Sequence, residues 1–216
     1  MFHILSIIEV RNKYRQVGMG KSRWWRREER EVYYYDTERD FDSRDLAARL
    51  FDIIQMIKEE GKKDGVVFLC IGTDRSTGDS LGPLIGYKLR DRQVPNAVII
   101  GDLEQPVHAM NLEFFSEMVR RRYPNHIVVA VDASVGSREH VGCITLGKGS
   151  LKPGLGVKKE LSAVGDIFLT GIVGGSGSGD PMMLQSIRLS VVMRLADCIC
   201  DSIFLVEQFW ENATMV

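Results

Sequence analysis

No apolar run in these 216 residues approaches the roughly 20 that a membrane helix needs. The short apolar start, Phe2 to Ile8, lacks the basic flank, longer apolar core and small-residue cleavage site of a signal peptide. Cysteine is scarce. Cys70, Cys143, Cys198 and Cys200 contain no CxxC pair, which argues against a structural zinc site and fits a reducing cytoplasm better than secretion. Excess charge of either sign is also lacking. With 28 basic and 29 acidic residues the formal charge is −1, so the whole chain does not read as a nucleic-acid binder. No GxGxxG or GxxxxGK[ST] pattern occurs and no Ser-His-Asp order can be defended, so neither a nucleotide loop nor a serine-hydrolase triad is expected. Ser76, Ser80, Ser134 and Ser176 read as loop serines.

Hydrophobic residues make up 44% and charged residues 26%, the balance of a globular domain with one sizeable core. Residues 1–42 differ from the rest. Eight basic residues stand against Glu28 and Glu29 between Arg11 and Arg30, and Trp24, Trp25 and Tyr33 to Tyr35 add aromatics. This reads as a solvated extension, with a nucleic-acid or anionic-surface contact through residues 11–35 as the sharper alternative.

From Ser43 onward the periodicity predicts one α/β domain over residues 43–216. Leu46, Leu50, Ile54 and Ile57 mark a helix, with Ser43 as N-cap and Gly61 as its end. Strands are expected at 66–71, 97–100, 127–131, 142–146 and 167–173. Helices are expected around Leu81–Leu89, around Leu112–Val119 behind an Asn111 cap, and from Asp180-Pro181 through Ile199. Alternating strands and helices predict a mostly parallel sheet covered on both faces.

Two aspartates stand out. Asp79 closes the loop GTDRSTGD, residues 72–79, after the first predicted strand. Asp132 ends the apolar run Ile127 to Val131. Both are expected at the carboxyl edge of the sheet, where α/β proteins place their sites. Two close carboxyls can share a proton as general acid and base, or hold a divalent metal. The plainer readings are a helix N-cap for Asp79 and a cap of loop amides for Asp132. His108, in the loop after the strand at 97–100, is a candidate third metal ligand, with Asp102 and Glu104 as weaker candidates there. No motif demands a cofactor; a divalent metal is the candidate. Asp74, Arg75, His3, His126 and His140 read as surface. Gly154 and Gly156, and Gly174 and Gly175 in the loop 174–179, suit close approach to a substrate backbone.

Several segments together carry a family resemblance. They are Gly72 with the run Thr77 to Pro83, the run Val131 to Ser134, and the run Pro153 to Leu161. The runs Gln105 to Glu113 and Val164 to Val173 add to it. The chain resembles, over about residues 43–205, the YyaC-type sporulation proteins, related to the spore germination protease and the hydrogenase maturation endopeptidases. That resemblance implies a three-layer α/β/α sandwich with a mostly parallel sheet. It implies two required aspartates, which fall on Asp79 and Asp132. The germination protease cleaves small acid-soluble spore proteins. In the hydrogenase enzymes an acidic residue, an aspartate and a histidine bind the nickel of the substrate. The histidine position falls near Gly154 here, so that ligand is absent and His108 would have to replace it.

The expected function is an endopeptidase acting on a spore or sporulation protein, in the cytoplasm of the forespore or mother cell. A non-catalytic protein-binding module and a metal-dependent hydrolase are the alternatives. The expected partner is a protein or peptide, with no membrane; the sequence leaves oligomeric state open.

Overall fold

The computed structural model describes residues 6–7, 31–61, 63–92, 94–153, 162–175 and 187–214. Seven strands form one sheet: β1 (Ser6–Ile7), β2 (Tyr33–Asp36), β3 (Gly65–Cys70), β4 (Ala97–Ile100), β5 (His126–Gly136), β6 (Cys143–Lys148) and β7 (Ile167–Gly175). Four helices accompany them: α1 (Ser43–Glu60), α2 (Leu81–Arg92), α3 (Leu112–Arg122) and α4 (Leu189–Thr214). The strand order is β2-β6-β7-β5-β3-β4, with β1 pairing the far end of β5. Strands β7, β5, β3 and β4 run parallel, while at one edge β6 pairs antiparallel with β7 and β2 pairs antiparallel with β6. The expected α/β/α sandwich is what the chain forms.

The two helical layers follow from the side-chain periods. Leu46, Leu50, Ile54 and Ile57 of α1 fall on one stripe and join Leu81, Ile85 and Leu89 of α2 and Leu195 and Ile199 of α4 against Phe68, Val129 and Val131. Each such large side chain contributes roughly 1.5–3 kcal/mol on burial. The other face is packed by α3, whose Leu112 and Val119 meet Val67, Leu69, Ala130 and Phe168. Because β3 and β5 are covered on both faces, they read as nearly unbroken apolar runs.

Local chemistry shifted several boundaries. Asp42, not Ser43, caps α1: its Oδ1 accepts the Arg44 N–H at 2.8 Å. Gly61 ends α1 in extended conformation, its N–H donating to Ile57 O at 3.0 Å. Asn111 occupies the cap position of α3, but its side chain closes the preceding loop instead. Its Oδ1 accepts from His108 N–H at 2.7 Å and its Nδ2 donates to Pro106 O at 3.0 Å. Tyr33 to Tyr35 belong to β2, the strand paired with β6, rather than to a loose extension. The three tyrosines that looked like part of a contact surface instead form a half-buried strand. Residues 8–30, and Asp180-Pro181, lie outside the described residues.

The order of connections matters most for function. The chain leaves β3 through α2 to reach β4 on one side. It then returns over β3 through α3, on the opposite face, to enter the sheet as β5. The winding therefore reverses between β3 and β5. A crevice at such a switch point, outside the carboxyl ends of the strands, is where open α/β sheets bind ligands.

Candidate functional site

Asp79 and Asp132 flank that switch point. Asp79 ends the short 3-10 turn Thr77–Asp79 that follows β3, and the turn packs against β5. Ile71 N–H donates to Val131 O at 2.7 Å, which aligns the end of β3 with the residue before Asp132. Both aspartates have 0% of their surface exposed. An ionised carboxyl is costly to bury without compensating charge or hydrogen bonds, so two at one sheet edge are not a packing accident.

The loop that carries Asp79 is shaped by glycine. Gly72 has φ +146, in the region L side chains rarely adopt, and a Cβ there would lie 2.1 Å from Asp79 O. That close approach lets the Thr73 N–H donate to Asp79 O at 2.9 Å and folds the loop back on itself. Asp79 is not the N-cap of α2. Ser80 holds that place, its carbonyl accepting from Leu84 N–H at 3.0 Å and its Oγ donating to Thr77 O at 2.8 Å. Helix α2 is seated by two further glycines missed at the sequence level. A Cβ on Gly82 would meet Ile71 O at 2.0 Å, and one on Gly86 would meet Gly101 O at 1.8 Å. Their signal was two poor helix formers four apart on one face, Gly82 and Gly86, in an otherwise regular helix.

Asp132 lies inside β5, not at its end as expected; the strand continues to Gly136. The cause is pairing. Beyond the level of β3, β5 still has β7 on one side and β1 on the other, so its ladder persists through Ser134 and Val135. Asp132 Oδ1 accepts the Ala133 N–H at 2.8 Å. Its register partner on β7 is Thr170, whose partner on β6 is Thr145, whose partner on β2 is Tyr34. These four residues form a row across the sheet. The Thr170 hydroxyl is 2.7 Å from that of Thr145 and 3.2 Å from that of Ser134. Thr145, Thr170 and Ser134 are all buried. Sequence reasoning placed Ser134 in a loop and passed over both threonines. A threonine inside the apolar run Ile167 to Val173 was the available signal, since a buried hydroxyl needs a partner.

His108 reaches the neighbourhood of the Asp79 loop. Ile71 and Val107 form a parallel bridge, and Gly72 N–H donates to Val107 O at 2.7 Å. Its ring, however, serves its own loop, Nδ1 accepting from Met110 N–H at 3.3 Å. Among the described residues no three His, Cys, Asp or Glu side chains are placed to hold one metal ion. The expected Asp79, Asp132 and His108 ligand set is therefore not formed. Asp102 is a structural carboxylate. Its Oδ1 accepts from Glu104 N–H at 2.8 Å and Gln105 N–H at 2.7 Å, and its Oδ2 pairs with Arg90. Burial pushes its pKa up, but those two amides and the Arg90 guanidinium outweigh burial and hold it below the usual range.

Gly174 and Gly175 are not loop residues. They close β7, paired with Val135 and Gly136, because a bulge at Ser134/Val135 lets the ladder continue. A Cβ on Gly175 would meet Arg138 Cγ at 2.7 Å. Gly154 and Gly156 lie outside the described residues, as does His3. His126 and His140 are half-buried rather than plain surface; His140 accepts or donates at 2.9 Å with Ser137 Oγ and packs against the Tyr34 ring. Thiol chemistry is disfavoured: burial raises the pKa of all four cysteines, Cys200 to about 12.

A family model described as a protein of unknown function, DUF1256, matches residues 39–202. The chain belongs to the DUF1256 family. The matched DUF1256 segment holds β3 to β7, both aspartates and most of α4. A relative titled "Uncharacterized protein YyaC", from Bacillus subtilis (strain 168), is 43% identical over 143 residues, covering 66% of this chain and 70% of that protein. Among the described residues of this DUF1256 protein, no helix is long and apolar enough to cross a membrane.

Proposed function

We propose that this DUF1256 protein is a sporulation-associated endopeptidase in which Asp79 and Asp132 act as an acid–base pair on a spore or sporulation protein. The observation that carries the reading is the burial of both carboxyls on either side of the switch point between β3 and β5. The sporulation setting, in the cytoplasm of the forespore or mother cell, rests on the motif resemblance.

The chemistry is a hydrolysis that needs no cofactor. One carboxylate takes a proton from water as its oxygen attacks the scissile carbonyl. The other carboxyl, holding its proton, gives it to the departing amine as the C–N bond breaks. A new carboxyl and a new amino terminus result. The peptide must reach carboxyls that are fully buried at rest, so catalysis requires a local opening at the carboxyl edge.

Acid-soluble spore protein extract incubated with wild type, Asp79→Asn and Asp132→Asn tests the proposal. New peptide termini are read by mass spectrometry. Each variant should lose on the order of 10²–10⁴ in rate, the usual worth of a general acid or base. Equal termini from all three proteins would sink the mechanism.

A second reading draws on the same burial. A protein-binding module that keeps the fold has no need to expose its carboxyls. Tight retention of a spore protein with no new termini from wild type would favour it.

A further inference from the structure

A cavity of about 660 Å³ runs along the inner side of α3, on the sheet face away from α1, α2 and α4. Its volume is that of an ordinary small-ligand site. Its floor is apolar, formed by Leu69, Leu112, Val119 and Val128, and the segment Ser162–Asp166 makes the facing wall. The cavity has charge at both ends. Glu113 lines it near the N-terminus of α3, toward the carboxyl edge of the sheet. Arg120 lines it near the C-terminus, toward the amino edge, where His126 and Tyr123 also sit. Seven residues are nearly two turns, so Glu113 and Arg120 share a side of the helix about 10 Å apart.

The other charges there are largely spoken for. Lys63 Nζ is 2.6 Å from Asp166 Oδ2, which also accepts the Val128 N–H at 2.9 Å. His126 Nδ1 is 3.8 Å from Asp64 Oδ1. The Lys63–Asp166 pair is neutral as a unit and leaves Arg120 and Glu113 to set the polarity of the cavity. An extended peptide advances about 3.3 Å per residue, so a tripeptide with free ends spans about 10 Å.

We propose that this cavity binds a short extended peptide with free termini, its carboxylate on Arg120, its ammonium group on Glu113 and its apolar side chains on the floor. The inference deepens the peptidase reading and rests on it for the idea that the ligand is a cleavage product. The binding itself stands on the cavity.

Isothermal titration calorimetry of the full chain with tri-leucine, and with N-acetylated and C-amidated tri-leucine, reads it out. Tri-leucine should bind. Amidation, or Arg120→Gln, should weaken binding at least five-fold, with Arg120→Lys restoring part of the loss. Glu113→Gln should weaken the free peptide and leave the acetylated one unchanged. Both positions are exposed, so the variants are expected to fold, and circular dichroism checks this. Absence of heat at millimolar peptide, or binding indifferent to either end group or to Arg120→Gln, would overturn the proposal. The Asp132→Asn protein separates the two claims. Binding without cleavage by any form upholds this site and removes the peptidase. Cleavage by wild type without tri-leucine binding does the reverse.

Discussion

Thr170 stands opposite Asp132 across the β5–β7 ladder, and its hydroxyl is tied to that of Thr145 at 2.7 Å. The carboxyl beside it is therefore bordered by a hydroxyl row whose members hold one another in place. Buried hydroxyls gain little net stability when paired, but cost about 1–3 kcal/mol when one partner is removed.

Thr170→Val should thus destabilise the domain by about 1–3 kcal/mol, because Thr145 and Ser134 each lose a partner. Thr145→Val should cost less, since Thr170 keeps Ser134. The double variant should cost less than the sum, because both ends of the 2.7 Å contact then become apolar together. Urea unfolding of the four proteins measures the cycle; strict additivity would mean that the hydroxyls are not coupled.

Gly72→Ala and Gly61→Ala should act in opposite directions. At Gly72 the added carbon meets Asp79 O at 2.1 Å and the residue keeps φ +146, so a loss of roughly 1–3 kcal/mol is expected. At Gly61 the nearest atom is Ile57 O at 3.6 Å and φ is −131, so alanine should be neutral or stabilise by about 0.4–1 kcal/mol through the unfolded chain. Thermal unfolding of both variants checks the contrast. If Asp79 acts in the proposed hydrolysis, turnover should fall in Gly72→Ala and not in Gly61→Ala.

Acid should weaken the domain partly through Asp102. Its folded pKa lies below the ordinary value of 3.8, so its contribution is fully present above that value. The contribution is lost as pH falls below 3.8 and through the lower folded pKa. Asp102→Asn should therefore show a shallower fall in Tm between pH 5 and pH 2 than wild type. Parallel curves would show that Arg90, Glu104 and Gln105 do not perturb it as described.

The cysteines should be slow toward thiol reagents in the folded state. Burial lifts Cys200 to about 12 and raises Cys70, Cys143 and Cys198, leaving little thiolate at pH 8. Ellman's reagent at pH 8 should label all four at the unfolding rate of the chain. A fast native thiol would reopen the question of a cysteine nucleophile.

Much of this architecture was legible in residue order. Periods of 3.6 and unbroken apolar runs marked α1, α2, α3, β3, β4, β5, β6 and β7, because a two-sided core demands those patterns whatever their partners. Asp132 was legible because a charge directly after an apolar run is costly and therefore conspicuous, and Asp79 because it closes the glycine-bearing loop that follows such a run. Tyr33 to Tyr35 were not, since a half-buried strand and a sticky surface share the same residues. Gly174 and Gly175 were misread as a loop because glycine carries no trace of the partner strand that holds it.

Sequence alone determined the fold class, the places of Asp79 and Asp132 in the chain and the absence of nucleotide-loop motifs, since these depend on local pattern and residue type. Tertiary structure alone decided that Asp79 and Asp132 flank a reversal of winding, that Thr170 and Thr145 line up in register with Asp132, and that His108 turns to its own loop. Strand order and register are set by long-range pairing, and residues scattered from Asp36 to Gly175 settle them only when the whole sheet closes.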